Sequence, residues 1–297
     1  MGRYIFSTNG INCPAHLWVM LERLSESKTD LISLNMSSYR MWFSAYVEIE
    51  AEKEPDFSKS HVPFGDIENI LRLEKALKEG SRVRVIFVDD EKEHFDMTVE
   101  RCNAELFEFV YAGSVEEMKD QIMQAINGGI PVVILLDIVW DVGGDVAREC
   151  LREIKEDPKW VYIPTFMVSI HTFKDVQVEA YWSEGAWGYI YKPELWNREI
   201  DLREALATLL DIDLESCVIS LNLLEGSLLG KLLGVIQRFA LELLNVKEIV
   251  TIEPKKRLIM KVGKTRGRKP LIEMLKELQE DEIKVYDEEI FNRMNFI

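Results

Sequence analysis

The stretch VRVIFVDDEKEHF, Val83 to Phe95, decides how the chain is read. Five of its first six residues are apolar, as in a strand covered on both faces. Asp89, Asp90 and Glu91 then arrive together. Adjacent like charges repel, and burial makes each more costly. Either the chain has reached the surface there, or a positive group joins the carboxylates.

Outward from this stretch, strand and helix signals alternate. Phe95, Val99, Cys102 and Leu106 recur at helical spacing, and Leu106–Ala112 reads as a second strand. Val115, Met118, Ile122 and Ile126 form another helical stripe, closed by Asn127-Gly128-Gly129. PVVILLDIV, from Pro131, is the most apolar strand. Val146, Cys150, Leu151 and Ile154 mark a third helix, ended before Pro158. VYIPTFMVS, ending at Ser169, is a fourth strand, and Val176, Ala180 and Tyr181 suit a fourth helix. GYIYK, Gly188 to Lys192, is a short fifth strand, and Leu202, Leu206 and Leu209 mark a fifth helix.

Five alternating strands and helices predict an α/β unit, a parallel doubly wound sheet with helices on both faces. The functional crevice of such sheets lies beyond the carboxyl ends of the strands. Asp89 and Asp90 end the first strand, Asp137 the third, Ser169 the fourth and Lys192 the fifth. Three aspartates on one rim call for a divalent cation, and all-oxygen ligands favour Mg²⁺.

This pattern resembles the CheY-like receiver domain of two-component response regulators. The matching residues are VDD at 88–90, LLD at 135–137, Ser169 and GAWGYIYKP at 185–193. They are spaced by 47 residues from Asp90 to Asp137, 32 more to Ser169 and 23 more to Lys192. The resemblance spans roughly residues 82–211 and implies a (βα)5, flavodoxin-like fold. It implies that Asp137 is the phosphoacceptor, served by a histidine kinase or phosphotransfer protein. Asp90 and Asp137 would bind Mg²⁺ directly and Asp89 through water, with the backbone carbonyl of Val139 completing the shell. Ser169 and Lys192 would bind phosphoryl oxygens, and Tyr189 matches the switch aromatic. A carboxylate attacks phosphorus when cations screen its charge, and a Lys ammonium stabilises the charge of the transferring group.

Some residues depart from the family pattern. Trp140 and Asp141 stand where Met-Pro is usual, and Gly143 and Gly144 come early. Ile170 is large where a small residue is usual, which predicts slow phosphotransfer or slow dephosphorylation. A haloacid-dehalogenase-type phosphatase would want a second Asp two residues after the nucleophile, and Val139 occupies that place.

The flanks match no recognised family. The sequence divides into an α/β segment 1–80, the receiver 81–211 and a helical and hairpin segment 212–297, so α+β segments flank the parallel sheet. RYIFS reads as a strand, His16–Leu24 as a helix, YRMWFSAYVEIE as a long strand, and Asp66 as the cap of a further helix. The leucine-rich CVISLNLLEGSLLGKLLGVIQRFALELL suits one or two helices, as core or as a dimerisation surface. KEIVTIEPKKRLIMKV reads as a hairpin and LIEMLKELQ as a short amphipathic helix. Residues 255–269 carry eight basic and no acidic side chains. Arg266 and Arg268 there are the candidate nucleic-acid contacts, set against a solvated basic hairpin.

Composition narrows the classes. The 297 residues are 47% hydrophobic and 30% charged, as in a globular protein with ample core. The formal charge of −16 is concentrated in residues 81–211, with 13 basic and 26 acidic side chains, which disfavours nucleic acid or anionic membrane there. No run approaches the ~20 apolar residues of a membrane span. No signal peptide is visible, and Cys13, Cys102, Cys150 and Cys217 form no CxxC pair, as expected of reduced thiols in a cytoplasmic protein. His16, His61, His94 and His171 share no metal-ligand spacing and read as surface or packed residues. The leading reading is a response regulator whose only chemistry is self-phosphorylation at Asp137. The alternatives are a receiver-like interaction module that takes no phosphate, and a DNA-binding regulator using the basic segment.

Overall fold

The computed structural model describes residues 2–11, 13–26, 30–39, 42–52, 65–102, 105–140, 145–212, 215–222, 228–252, 257–264 and 283–287. In chain order the elements are β1 (Gly2–Ile11), α1 (Pro14–Glu26), β2 (Asp30–Tyr39), β3 (Trp42–Ala51), α2 (Glu68–Glu79), β4 (Val83–Val88), α3 (Lys92–Arg101), β5 (Phe107–Ala112), α4 (Val115–Asn127), β6 (Val132–Asp137), α5 (Val146–Glu156), β7 (Thr165–Ser169), α6 (Phe173–Val176), α7 (Glu179–Ser183), β8 (Gly188–Tyr191), α8 (Lys192–Trp196), α9 (Leu202–Leu209), β9 (Glu215–Asn222), α10 (Leu228–Leu241), β10 (Val246–Ile252), β11 (Arg257–Lys264) and β12 (Ile283–Asp287). They fall into two compact units: Val62–Ala207, and Met1–His61 together with Thr208–Ile297.

In Val62–Ala207 five parallel strands stand in the order β5-β4-β6-β7-β8. Their apolar runs are buried because helices cover both faces; all six residues of β6 are buried. The order reverses between β4 and β6, and at such a switch point a crevice opens beyond the strand ends. Local chemistry sets the helix boundaries. Ser114 caps α4 by accepting from the Glu117 N–H, and Gly129 at φ 71° lets the chain turn away after it. Asp145 caps α5 through the Arg148 N–H. Pro193, in the first turn of α8, suits a helix start, where its missing N–H is not needed.

Helix α2 belongs to this unit. Asp66 Oδ1 accepts from the Glu68 N–H at its start, as the sequence suggests. Ile70, Leu73, Ala76 and Leu77 are buried. Asn69 ties α2 to the start of β6: its Nδ2 donates to the Val132 carbonyl at 3.0 Å and its Oδ1 accepts from the Val132 N–H at 2.8 Å.

The second unit holds a seven-stranded sheet ordered β1-β3-β2-β10-β11-β9-β12. The first and last stretches of the chain, read from the sequence as separate segments, therefore share one sheet, with β2 and β10 antiparallel at the junction. Within it a connectivity recurs: β1-α1-β2-β3 and β9-α10-β10-β11 are both strand–helix–strand–strand, each with its third strand in the middle. Helices α1 and α10 pack together. The β2–β10 ladder is short, pairing Met36 with Ile249 and Ser37 with Glu248. Thr251 extends it by side chain, its hydroxyl accepting from the Leu34 N–H at 2.9 Å and donating to the Leu34 carbonyl at 3.0 Å.

Several sequence expectations need correction. Residues 30–39, not recognised as a strand, form β2, and the long strand expected from residue 39 begins at Trp42. The leucine-rich run opens as strand β9, and its described helix, α10, spans Leu228–Leu241. The fourth helix expected in this unit is two short pieces, α6 and α7, parted by Gln177 at φ 47°. The buried stripe of α3 is His94 and Thr98, while Val99 is exposed. The hairpin of β10 and β11 agrees with expectation. The expected helix at 271–279, His61, Asp141, Gly143, Gly144, Arg266 and Arg268 lie outside the described residues. Among the described residues no helix is long and apolar enough to cross a membrane.

Replacing Asn69 by Ala strands two buried backbone groups of Val132, a loss of about 2–4 kcal/mol at ~1–2 per group. Urea unfolding should show a lower midpoint with an unchanged slope.

Candidate functional site

The carboxyl ends of β4 and β6 bring Asp89, Asp90 and Asp137 together. Each offers an oxygen, and the three lie within 4.8 Å of one another. Asp89 and Asp137 are buried, at 0% and 3% exposure, and Asp90 is half-buried. The backbone aims the two buried acids. Asp89 Oδ1 accepts from the Glu91 N–H at 2.8 Å, and Asp137 Oδ2 accepts from the Val139 N–H at 3.1 Å.

Lys192 supplies the positive charge. It starts α8 at the end of β8, and its side chain reaches past β7 to the β6 and β4 ends. Its Nζ lies 2.6 Å from Asp89 Oδ2 and 2.7 Å from Asp137 Oδ1. Lys192 itself is 0% exposed, so this is a buried charge network, with the ammonium also 5.7 Å from the centre of the Phe87 ring. One ammonium does not neutralise three carboxyls. Burial raises the Asp137 pKa from its ordinary value to about 6, with Lys192 opposing and Asp89 adding to the rise.

Ser169 and Tyr189 converge on one backbone segment beside the acids. Ser169 Oγ accepts from the His171 N–H at 3.1 Å, which leaves its own proton to donate. Tyr189 is buried and its hydroxyl donates to the His171 carbonyl. Ile170, between Ser169 and His171, is 42% exposed. Val139 is exposed, and Trp140 Nε1 donates to the Asp137 carbonyl at 3.1 Å.

One residue here escaped the sequence reading. His94, expected to be a bland surface or packed residue, is buried within the charge cluster. Its Nδ1 is 3.1 Å from Lys192 Nζ and 3.3 Å from Asp89 Oδ2. Its ring lies against Trp196, the centres 5.6 Å apart. The available signal was position: a polar ring in the first turn of the helix that follows Asp89-Asp90. The same geometry explains the α3 correction, because a helix facing an ion cluster turns His94 and Thr98 inward and leaves Val99 to solvent.

The donor set fits a hard divalent cation. Three carboxylate oxygens converge there, the hard ligands such an ion prefers. Among the described residues, Asp89, Asp90 and Asp137 are the side chains able to hold it.

No protein-family model and no curated protein matches the chain. Solved structures do. The phosphorylated cyanobacterial phytochrome response regulator RcpA is 24% identical, over 40% of this chain and 89% of that one, with a TM-score of 0.33. The N-terminal domain of a response regulator receiver protein from Methanoculleus marisnigri JR1 is 27% identical, over 42% and 93%, with a TM-score of 0.30. A chemotaxis response regulator of Vibrio cholerae is 20% identical, over 40% and 96%, with a TM-score of 0.33. These neighbours are response-regulator receiver structures. The five parallel strands, in the order β5-β4-β6-β7-β8 with their helices, have the flavodoxin-like arrangement, and the seven-stranded sheet belongs to the other unit.

The raised Asp137 pKa has a stability consequence. Between about pH 4 and the folded pKa of about 6 the folded state binds the proton more tightly than the unfolded chain. The Asp137 contribution therefore falls as pH rises through that window and stays unfavourable above it. In metal-free buffer at pH 7.5, Asp137→Asn should raise stability by on the order of 1–3 kcal/mol, an advantage that shrinks toward pH 4. Thermal melts of both proteins across that range check it.

Proposed function

We propose that this chain is a two-component response regulator in which Asp137 accepts a phosphoryl group from a phosphohistidine on a kinase or phosphotransfer protein. The observation that supports it most is the buried Lys192 ammonium between Asp89 and Asp137, at the carboxyl edge of a receiver-type sheet.

A carboxylate oxygen of Asp137 forms the new bond to phosphorus. The phosphorus–nitrogen bond breaks, and its electron pair leaves with the partner's imidazole nitrogen. The Val139 N–H on Oδ2 fixes the orientation of the attacking carboxylate. Lys192, already on Oδ1, stabilises the charge of the transferring group, and Ser169 donates its hydroxyl proton to a phosphoryl oxygen. Asp89, Asp90, Asp137 and the Val139 carbonyl would hold Mg²⁺, which would supply positive charge to offset the carboxylates and the transferring group. Once phosphorylated, Asp137 presents a different charge to Lys192 and Ser169, and contacts of the flanking segments or of a partner change in response. Tyr189 and Ser169 share the His171 backbone, so a shift of Ser169 is felt at Tyr189.

A second reading, an interaction module that takes no phosphate, draws on Ile170. Ile170, beside Ser169, is large and 42% exposed, and in this reading it narrows the approach to Asp137. Nucleic-acid binding through Arg266 and Arg268 rests on sequence alone.

Incubation with acetyl phosphate and Mg²⁺ should add the mass of one phosphoryl group to the intact chain, and Asp137→Asn should abolish the gain. No gain with acetyl phosphate or phosphoramidate would favour the second reading. Ile170→Ala should speed hydrolysis of the acyl phosphate by about threefold or more, on the order of 1 kcal/mol of barrier. An unchanged rate removes Ile170 as the cause of slow turnover.

A further inference from the structure

We propose that His94 is a positioning residue for Lys192, holding the ammonium on the Asp89–Asp137 pair from the side the carboxylates leave open. This rests on the reading of Lys192 as a phosphoryl-binding group.

A lysine ammonium has three protons and no lone pair. In a site with 0% exposure each proton needs an acceptor from the protein. Asp89 Oδ2 at 2.6 Å and Asp137 Oδ1 at 2.7 Å take two. The third acceptor is His94 Nδ1 at 3.1 Å. That contact sets the ring's state. Nδ1 faces a pure donor, so it carries the lone pair, and the proton sits on Nε2, which lies 3.5 Å from Glu91 Oε2. The 3.3 Å approach of Nδ1 to Asp89 Oδ2 is then a neighbour contact mediated by the shared ammonium.

The ring is itself held. Trp196 lies against it from α8, four residues after Lys192. Trp196 Nε1 donates to Thr98 Oγ1 at 2.9 Å, and Thr98 Oγ1 donates to the His94 carbonyl at 2.8 Å. Two i, i+4 pairs therefore interlock: His94 and Thr98 on α3, Lys192 and Trp196 on α8. Each pair shares a helix face, so one helix's placement fixes the other's. The ammonium keeps a neutral acceptor whatever the charge on Asp137. A phosphoryl group arriving there can then draw the ammonium while His94 limits its travel.

The test uses the full chain labelled with nitrogen-15, at pH 7.5. Long-range proton–nitrogen spectra, with His94 assigned by its loss in His94→Asn, should show a neutral ring protonated at Nε2. The Nδ1 resonance should move on Lys192→Met. Protonation at Nδ1, or indifference to Lys192→Met, overturns the proposal. Kinetics supply the second arm. His94→Phe keeps a ring for Trp196 but no acceptor. His94→Asn places an amide oxygen at the same bond count from Cα as Nδ1. At saturating Mg²⁺ and acetyl phosphate, His94→Phe should phosphorylate about tenfold more slowly, the loss of one charge-assisted hydrogen bond, and His94→Asn within about threefold of wild type. Adding His94→Phe to Lys192→Met should have no further effect. An additive loss, or a wild-type rate in His94→Phe, overturns the proposal. If the wild type takes no phosphate, the reading of the site as a phosphoacceptor fails, and the nitrogen spectra alone decide whether His94 holds Lys192.

Discussion

A lysine ammonium buried between two carboxylates constrains everything at the rim of the parallel sheet. None of its three members is tolerable alone. An unpaired ion in a dry interior is strongly destabilising, and loss of Lys192 would leave two buried carboxylates uncompensated. The chain therefore delivers Asp89, Asp137 and Lys192 from three strand ends together, and surrounds them with groups that accept or donate hydrogen bonds. The Glu91 and Val139 amides take the remaining carboxylate oxygens. His94 and Thr98 turn inward where an ordinary amphipathic helix would place aliphatic side chains. Even satisfied in this way the cluster stays dry, and burial holds the Asp137 pKa up at about 6 against the pull of Lys192.

That arrangement explains why the receiver-like part was legible in the sequence. Parallel strands buried on both faces read as apolar runs, and a run that ends in a charge marks its own carboxyl end. Val83–Val88 and its two aspartates gave the first strand residue for residue. Asp137, Ser169 and Lys192 followed from the same rule. Where the interior is polar, the rule misled. The α3 stripe was sought among Phe95, Val99 and Cys102, because an apolar pattern presumes an apolar interior. The fourth helix was read as continuous, since nothing in the composition around Gln177 announces a left-handed residue; Gln is not a usual occupant of that region.

The flanking sheet was harder for a different reason. Strand β2 buries Leu31, Leu34 and Met36, spaced by three and then two. The register shifts between Leu31 and Ser33, and that irregularity breaks the period-two signal by which a half-buried strand is recognised. In β9 and α10 the difficulty is continuity. Apolar residues run from the strand toward the helix, and periodicity alone does not separate a short apolar strand from a buried helical segment. The pairing of the two chain ends was not legible at all, because strand partnership over such separations leaves no local mark.

The repeated strand–helix–strand–strand connectivity gives those two ends a reason to meet. A three-stranded sheet with one helix on a face has half a core; joining β2 to β10 and packing α1 on α10 makes one core from two halves. The junction carries only two paired positions on each strand, and Thr251 adds side-chain bonds where the backbone ladder has none. Cohesion therefore comes more from the shared apolar interior, with Leu21, Leu24 and Leu34 on one side and Leu232, Ile236 and Phe239 on the other, all at 0% exposure. An interface of that kind tolerates a whole unit inserted between its halves. The entropy of closing the connecting loop rises only with the logarithm of its length, about 0.6 kcal/mol per doubling, and a folded insert has already fixed most of its own chain. A five-stranded receiver-type unit can thus occupy the middle of the sequence without weakening the sheet that brackets it.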